Sequence, residues 1–286
     1  MWLTSKKNRI KNTKIMTKNN LHLHDIKALV IDGDGVLWRD KDPLPGLTEF
    51  FGFLEKEGLP YMLMTNNATK TNDQFVQKLA GFGVTIQPNV VLTSSIATAA
   101  YMKQEYPPGA KVYVVGQDGL RAAIQEAGFI LLEDSSQPAD VVVAGMDFTL
   151  SYEKLKHAAL LIRQGADFIG TNGDLTFPAP EGLAPGAGSI LALLEAATGI
   201  KPPTIGKPAP MMFNIALKRM GVTATETAMI GDRLDTDILG AQRAGLRTIM
   251  VTTGVDSEET CRQKNIWPDV ICSGIAELTT MWQAVG

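Results

Sequence analysis

Asp32-Gly33-Asp34-Gly35-Val36 follows directly on the apolar run Ala28-Leu29-Val30-Ile31. A second set of acids follows another short apolar run in Ile230-Gly231-Asp232-Arg233-Leu234-Asp235-Thr236-Asp237-Ile238. Met64-Thr65-Asn66-Asn67 closes a third run and offers a hydroxyl, two amides and backbone donors. Gly206-Lys207-Pro208-Ala209-Pro210 places one lysine ahead of a helix that opens on proline. Taken singly, each has a plainer reading: an acid after a strand caps a helix or shapes a turn, Asn-Asn is a turn, and a lysine is solvated. Asp235 or Asp237 would serve as such a cap, whereas capping explains Asp232 less well, because it comes straight after strand and glycine. Taken together, they bring acids, a hydroxyl and a lysine to the ends of apolar strands, where an open parallel sheet binds its ligands. Clustered carboxylates raise one another's pKa, a divalent cation relieves that, and an all-oxygen donor set suits Mg²⁺. A phosphate completes the set, its charge met by the cation, the lysine, the hydroxyl and backbone donors. An Asp nucleophile would form an aspartyl-phosphate, and a second carboxyl would protonate the leaving oxygen and then activate water.

The elements that must hold these groups follow from hydrophobic patterning. Lys27–Asp32 reads as a strand, nearly all apolar as parallel strands covered on both faces are. Thr48–Lys56, Asn72–Phe82 and Ser94–Gln104 read as helices, alternating with strands at Tyr61–Met64 and Val90–Leu92. After Pro107-Pro108-Gly109 a new series begins: strands at Val112–Val115, Val141–Ala144 and Phe168–Gly170, helices at Leu120–Ala127, Tyr152–Gln164 and Ser189–Ala197. After Pro202-Pro203 come helices at Pro210–Met220, Thr236–Ala244 and Ile275–Gln283, with strands at Ala228–Ile230, Thr248–Val251 and Val270–Ile271. This alternation predicts an α/β fold with parallel sheets. The two proline marks predict one domain inserted in another: 26–106 with 203–286 as the host, 107–202 as the insert.

Composition excludes several classes. The chain has 286 residues, 45% hydrophobic and 20% charged, which excludes disorder and collagen-like fibres. A net charge of −3 disfavours a general nucleic-acid binder. No apolar run approaches the ~18 residues of a membrane span. Lys6, Lys7, Arg9, Lys11, Lys14 and Lys18 make residues 1–25 a basic lead-in without a secretory core. A disordered tail is the expectation; an organelle-targeting segment or a true start at Met16 are its alternatives. Cys261 and Cys272 are too few for a disulfide framework and lack metal spacing, so both read as packing or surface residues of a cytoplasmic protein. His22 and His24 read as a solvated strand entry, with a metal pair as the sharper alternative.

The four clusters, in this order, resemble the motifs of the haloacid dehalogenase superfamily of phosphohydrolases: Asp32–Trp38 the first, Thr65–Asn67 the second, Gly206–Pro210 the third and Gly231–Ile238 the fourth. The resemblance runs from about residue 26 to the C-terminus, and it implies a Rossmann-like core with an inserted α/β cap. It implies Asp32 as nucleophile and Asp34 as general acid and base. It also implies phosphate binding by Thr65, the Asn66 backbone, Asn67 and Lys207, and Mg²⁺ held by Asp32, the Asp34 carbonyl and Asp232 with Asp237 behind them. Gly170-Thr171-Asn172-Gly173-Asp174, Pro178, Gly182 and Pro185–Ser189 resemble the cap of the NagD-type or p-nitrophenyl-phosphatase branch. That likeness implies a small phosphomonoester substrate: phosphoglycolate, pyridoxal phosphate, a nucleoside monophosphate or p-nitrophenyl phosphate. It also implies a homodimer formed through the cap. Asn172, Asp174 and Phe177 become candidate specificity residues; turn-forming and cap packing are their plainer roles. Phe177 stands where vitamin B6 phosphatases of the branch place a histidine, which disfavours pyridoxal phosphate. Gly33 stands where the family more often has a larger residue, which predicts a more flexible loop.

Three rival functions share parts of this pattern. A phosphotransferase or phosphomutase would keep every core residue but let a sugar hydroxyl attack the intermediate, and the NagD-like cap argues against it. A signalling receiver domain is shorter, with no insert and no acid two residues after the nucleophile. A non-catalytic phospho-ligand binding protein would not need every catalytic position intact.

Overall fold

The computed structural model describes residues 22–179 and 181–284. Met16 and the basic residues of the expected tail lie outside them. Residues 22–25 are described: Leu23–Asp25 is a 3₁₀ turn whose Leu23 side chain joins the core, with His22 and His24 exposed.

The chain runs through β1 (Ala28–Ile31), a small hairpin β2 (Trp38–Arg39) and β3 (Asp42–Pro43), α1 (Leu47–Glu57), β4 (Tyr61–Thr65), α2 (Asn72–Gly81), β5 (Val91–Thr93) and α3 (Ser94–Glu105). It continues with β6 (Lys111–Val115), α4 (Asp118–Glu126), β7 (Ile130–Leu132), β8 (Val141–Ala144), α5 (Tyr152–Arg163) and β9 (Asp167–Gly170). A second hairpin, β10 (Thr176–Ala179) and β11 (Gly182–Pro185), precedes α6 (Ala187–Thr198). The last part holds α7 (Pro210–Met220), β12 (Thr227–Gly231), α8 (Leu239–Arg243), β13 (Arg247–Val251), α9 (Glu258–Lys264), β14 (Val270–Cys272) and α10 (Ile275–Gln283).

Two parallel sheets result. The core sheet has the order β14-β13-β12-β1-β4-β5, and the cap sheet, inserted between β5 and β12 in the sequence, has the order β7-β6-β8-β9. The fold is the expected Rossmann-like core with an α/β cap. Strand alternation explains the layering. Leu29, Ile31, Leu63 and Ile230 point to one face of the core sheet, covered by α1, α2 and α10. Val30, Met62, Met64 and Met229 point to the other, with Met212 and Phe213 of α7. That second cluster continues into the cap through Leu120 and Ile124 of α4 to Val112, Val114, Val141 and Val143. The far face of the cap sheet, with Tyr113, Val115 and Val142, is closed by α5 and α6. Each such buried aliphatic side chain stabilises the fold by roughly 1.5–3 kcal/mol, so cap and core are joined by packing as well as by chain.

β1 is the switch point of the core sheet, since the chain proceeds to β4 on one side and β12 on the other. Residues at the carboxyl ends of these three adjacent strands therefore meet.

Most elements fall where patterning places them. The exceptions have local causes. The β10–β11 hairpin is unexpected because its segment is rich in proline, which reads against a strand. β2, β3 and β7 are too short for a period, and α9 is short and polar apart from the buried Cys261. The helix expected at Thr236–Ala244 begins with a wide five-residue turn, Leu234–Ile238, before α8. Both cysteines are free and buried. Among the described residues no helix is long and apolar enough to cross a membrane.

Candidate active site

Asp32 leaves the end of β1 with its backbone still in the sheet, its N–H donating to the Ile230 carbonyl at 2.9 Å. Its side chain is buried, as are those of Lys207, Asp232 and Asp237. Lys207 Nζ lies 2.5 Å from Asp32 Oδ1 and 2.7 Å from Asp237 Oδ1, and donates to the Met64 carbonyl at 3.2 Å. Carboxylate oxygens of Asp32, Asp232 and Asp237 converge within 4.8 Å of one another. Asp237 reaches this position because its other oxygen accepts the Arg233 N–H at 3.1 Å, across the wide turn. Asp232 Oδ2 accepts the Val255 N–H at 2.8 Å. Only glycine allows that approach: a Cβ at Gly254 would lie 1.9 Å from the same oxygen.

Burial pushes the Asp32 carboxyl well above its ordinary range; Lys207 pulls it down, and Asp237 and Asp232 push it further up. Burial, then the Asp237 charge, pushes Asp232 up to about 7. Burial works against the Lys207 ammonium, but Asp237 and Asp32 outweigh it and raise its pKa. One lysine does not balance three buried acids. The excess of hard oxygen donors fits a divalent cation such as Mg²⁺.

Asp34 lies outside that carboxylate cluster, with its side chain exposed and its Oδ1 accepting the Trp38 indole N–H at 2.8 Å. The loop that carries it is closed. The Gly33 carbonyl accepts from Val36, Leu37 and Trp38, Gly35 N–H donates to the Trp38 carbonyl at 2.8 Å, and Thr253 Oγ1 donates to the Gly35 carbonyl at 2.6 Å. The Trp38 ring occupies the space of the side chain missing at Gly33, 2.4 Å from where a Cβ would stand.

Thr65, at the end of β4, is buried, and its Oγ1 accepts the Asn67 N–H at 3.1 Å. The Asn67 side-chain oxygen is engaged locally, Oδ1 accepting Thr69 N at 2.9 Å and Thr69 Oγ1 at 2.7 Å. The Asn66 amide spans one residue of the third motif: Oδ1 accepts Lys207 N–H at 2.8 Å and Nδ2 donates to the Lys207 carbonyl at 3.0 Å. Asn66 Nδ2 also donates to Asp174 Oδ2 of the cap at 3.0 Å, and Asn172 Nδ2 donates to the Asn66 carbonyl at 2.9 Å. The cap loop is therefore tied to the core at Asn66, beside Lys207. Burial raises the Asp174 pKa, with Asn66 and Arg233 opposing, and Arg233 stands 3.9 Å from its Oδ1. Phe177, on β10, meets Phe148 edge to face at 5.9 Å. Asp235, read as a possible cap, pairs instead with Lys264.

Sequence reasoning missed Trp38, Arg233 and the Gly254-Val255 turn. Trp38 and Arg233 lay inside quoted motifs, but only the folded loop shows what they touch. Nothing in the sequence marked residues 254 and 255, which arrive from the end of β13.

A parallel core with acids and a lysine at its switch point, beneath an inserted cap, defines a phosphoryl-transfer fold. Comparison with known proteins specifies it. The haloacid dehalogenase-like hydrolase family model matches residues 29–130, and a HAD-hydrolase-like model matches residues 204–278. An acid sugar phosphatase of Staphylococcus aureus (strain USA300) is 41% identical over 242 residues, covering 85% of this chain and 92% of its own. The crystal structure of 4-nitrophenylphosphatase from Thermotoga maritima superposes with a TM-score of 0.85 at 34% identity, covering 91% of this chain and 98% of its own. NagD from E. coli K-12 gives 0.81 at 34% identity, covering 88% and 98%. The chain belongs to the haloacid dehalogenase-like hydrolases, as a NagD-like phosphatase.

Proposed function

We propose that the protein is a Mg²⁺-dependent phosphomonoesterase that works through an aspartyl-phosphate on Asp32. The observation that carries this reading is the buried Lys207 ammonium between Asp32 and Asp237, inside a convergent acid trio. Asp32, Asp232 and the Asp34 backbone carbonyl would hold the cation, with Asp237 behind them. When bound, it supplies positive charge for the phosphoryl oxygens.

Thr65, the Asn66 backbone, Asn67 and Lys207 hold the phosphoryl group. An Asp32 carboxylate oxygen attacks phosphorus and the ester P–O bond breaks. The Asp34 carboxyl gives its proton to the departing alkoxide. The resulting Asp34 carboxylate takes a proton from water, which attacks the phosphorus of the aspartyl-phosphate. Inorganic phosphate leaves, and the Asp32 carboxylate and the Asp34 carboxyl are restored.

The substrate is a small metabolite, chosen by the cap through Asn172 and Asp174, which meet Asn66 of the core, and through Phe177. Sugar phosphates lead the candidates because the Staphylococcus aureus relative is an acid sugar phosphatase. p-Nitrophenyl phosphate, phosphoglycolate and nucleoside monophosphates follow, and pyridoxal phosphate ranks last, with Phe177 in place of histidine. We also infer a cytoplasmic homodimer formed through the cap. Two free, buried cysteines suit a reducing compartment. Exposed Phe148, Tyr152, Leu175 and Leu183 give the cap an apolar surface.

The test is phosphate release from a panel of these esters, with and without Mg²⁺, beside Asp32→Asn. Turnover that requires both Mg²⁺ and Asp32 supports the reading. Folded protein that turns over no member of the panel overturns it.

A further inference from the structure

We propose that Trp38 is the positioning residue of the general acid: its indole N–H holds the Asp34 carboxylate by one oxygen and leaves the other to meet the leaving group. The proposal rests on the acid–base role assigned to Asp34 under the proposed function.

The geometry has three parts. Trp38 Nε1 donates to Asp34 Oδ1 at 2.8 Å, and Asp34 Oδ2 has no hydrogen-bond partner among the described residues. The indole has no freedom to point its N–H elsewhere. It is fully buried, its six-membered ring rests on Gly33, Phe75 lies 6.3 Å from it between centroids, and Lys78 Nζ stands 4.3 Å over its face. The backbone adds a second tie, since Gly35 N–H donates to the Trp38 carbonyl at 2.8 Å. A side chain locked by packing is the condition for holding a reacting group in register.

The pairing also accounts for the residue between the two acids. A larger residue at position 33 would collide with the ring, 2.4 Å from its Cβ, and turn the N–H away. Gly33 and Trp38 are thus one device: the glycine makes room for the ring, and the ring delivers a donor to the exposed carboxylate.

Leaving-group dependence separates this role from a structural one. Expelling an alkoxide needs a proton, whereas expelling 4-nitrophenolate needs one far less, and kcat/KM reports the steps through phosphoenzyme formation. The measurement is the ratio of kcat/KM for glycerol 3-phosphate to that for p-nitrophenyl phosphate. Trp38→Phe should lower this ratio about tenfold or more, because misplacement of a reacting group by an ångström costs as much as 100-fold. Replacing Trp38 with benzothienylalanine, which keeps the shape and lacks the N–H, should do the same and covers the case in which Trp38→Phe fails to fold. Asp34→Asn should lower the ratio further, and adding Trp38→Phe to Asp34→Asn should not change it again. An unchanged ratio in a folded Trp38 variant, with a lowered ratio in Asp34→Asn, overturns the positioning role and leaves the proposed function standing. A further fall in the double variant overturns it too, since Trp38 would then act by a route other than Asp34. An unchanged ratio in Asp34→Asn overturns the acid role and the proposal with it.

Discussion

Two walls, the strand ends of the core and the β10–β11 hairpin of the cap, are built on opposite plans. On the core wall Asp32, Thr65 and Asp232 sit at the ends of adjacent parallel strands with Lys207 among them, all nearly out of water and held by fixed partners: Lys207 is 2% exposed, whereas Asp34 reaches solvent. On the cap wall the β10–β11 hairpin carries Leu175 at its base and Leu183 in its second strand, 64% and 74% exposed, and Phe177 leans on one neighbouring ring. Under the proposed function the contrast separates two jobs. Charge stabilisation needs groups that do not move as charge develops, and burial among fixed partners provides that. Choice of leaving group needs a surface that can change without disturbing the charges. Asn66, held to Lys207 on one side and Asp174 on the other, is where the two plans meet.

The largest effect expected on this contrast is chemical. Asp32→Asn should lower phosphate release by at least about 10⁴-fold, as loss of a nucleophile does, while leaving the cap surface unaltered. Equal loss from a Phe177 substitution would erase the distinction between the walls. Next comes Lys207→Met, which leaves buried acids unpaired. It should cost about 3–5 kcal/mol in urea unfolding with EDTA present, in addition to activity. A cost below about 1 kcal/mol would mean that the acids relax or take up protons on their own.

pH provides the third test. Asp232 titrates at about 7 in the folded protein, against an ordinary 3.8. Between these values the folded state holds a proton that the unfolded state has lost. The metal-free protein should therefore lose stability as pH rises from about 4 to about 7, by a few kcal/mol, with the full penalty present above that. Asp32, raised by the same burial, adds in the same direction. Thermal melts with EDTA across this range should show the decline, and Mg²⁺ should flatten it. A metal-free Tm that rises over the window would contradict the burial argument. The smallest effect belongs to the cap wall. Phe177→Ala should change KM across the ester panel by up to about tenfold, the worth of one aromatic contact, with kcat for p-nitrophenyl phosphate changed little.

Much of the core wall is legible in the sequence. A strand covered on both faces is a continuous apolar run, so Ala28–Ile31 announced itself, and the acids straight after it gained weight from the other clusters at strand ends. Lys207 stood out by its place ahead of a helix that opens on proline, while the same logic reached Asp232 and Thr65. It did not reach the β10–β11 hairpin, where prolines mask the strand signal, nor the turn at Gly254 and Val255, which no local pattern ties to Asp232. It also did not foresee the packing of the Trp38 ring on Gly33, because a neighbour in space leaves no local mark in the sequence.

The order of apolar runs and acids was thus enough for the α/β class, because period and strand-end position are local properties of the chain; the two proline marks pointed to the insert, and the roles of the candidate reactive groups came only with the resemblance of the four motifs. Three features depended on contacts between distant residues. These are the placing of Lys207 between Asp32 and Asp237, the lift of Asp232 to about 7, and the capture of Asp34 by a ring packed on Gly33 and Phe75. Burial and electrostatic coupling are properties of neighbours in space, and the neighbours are assigned only when the sheet closes around its switch point.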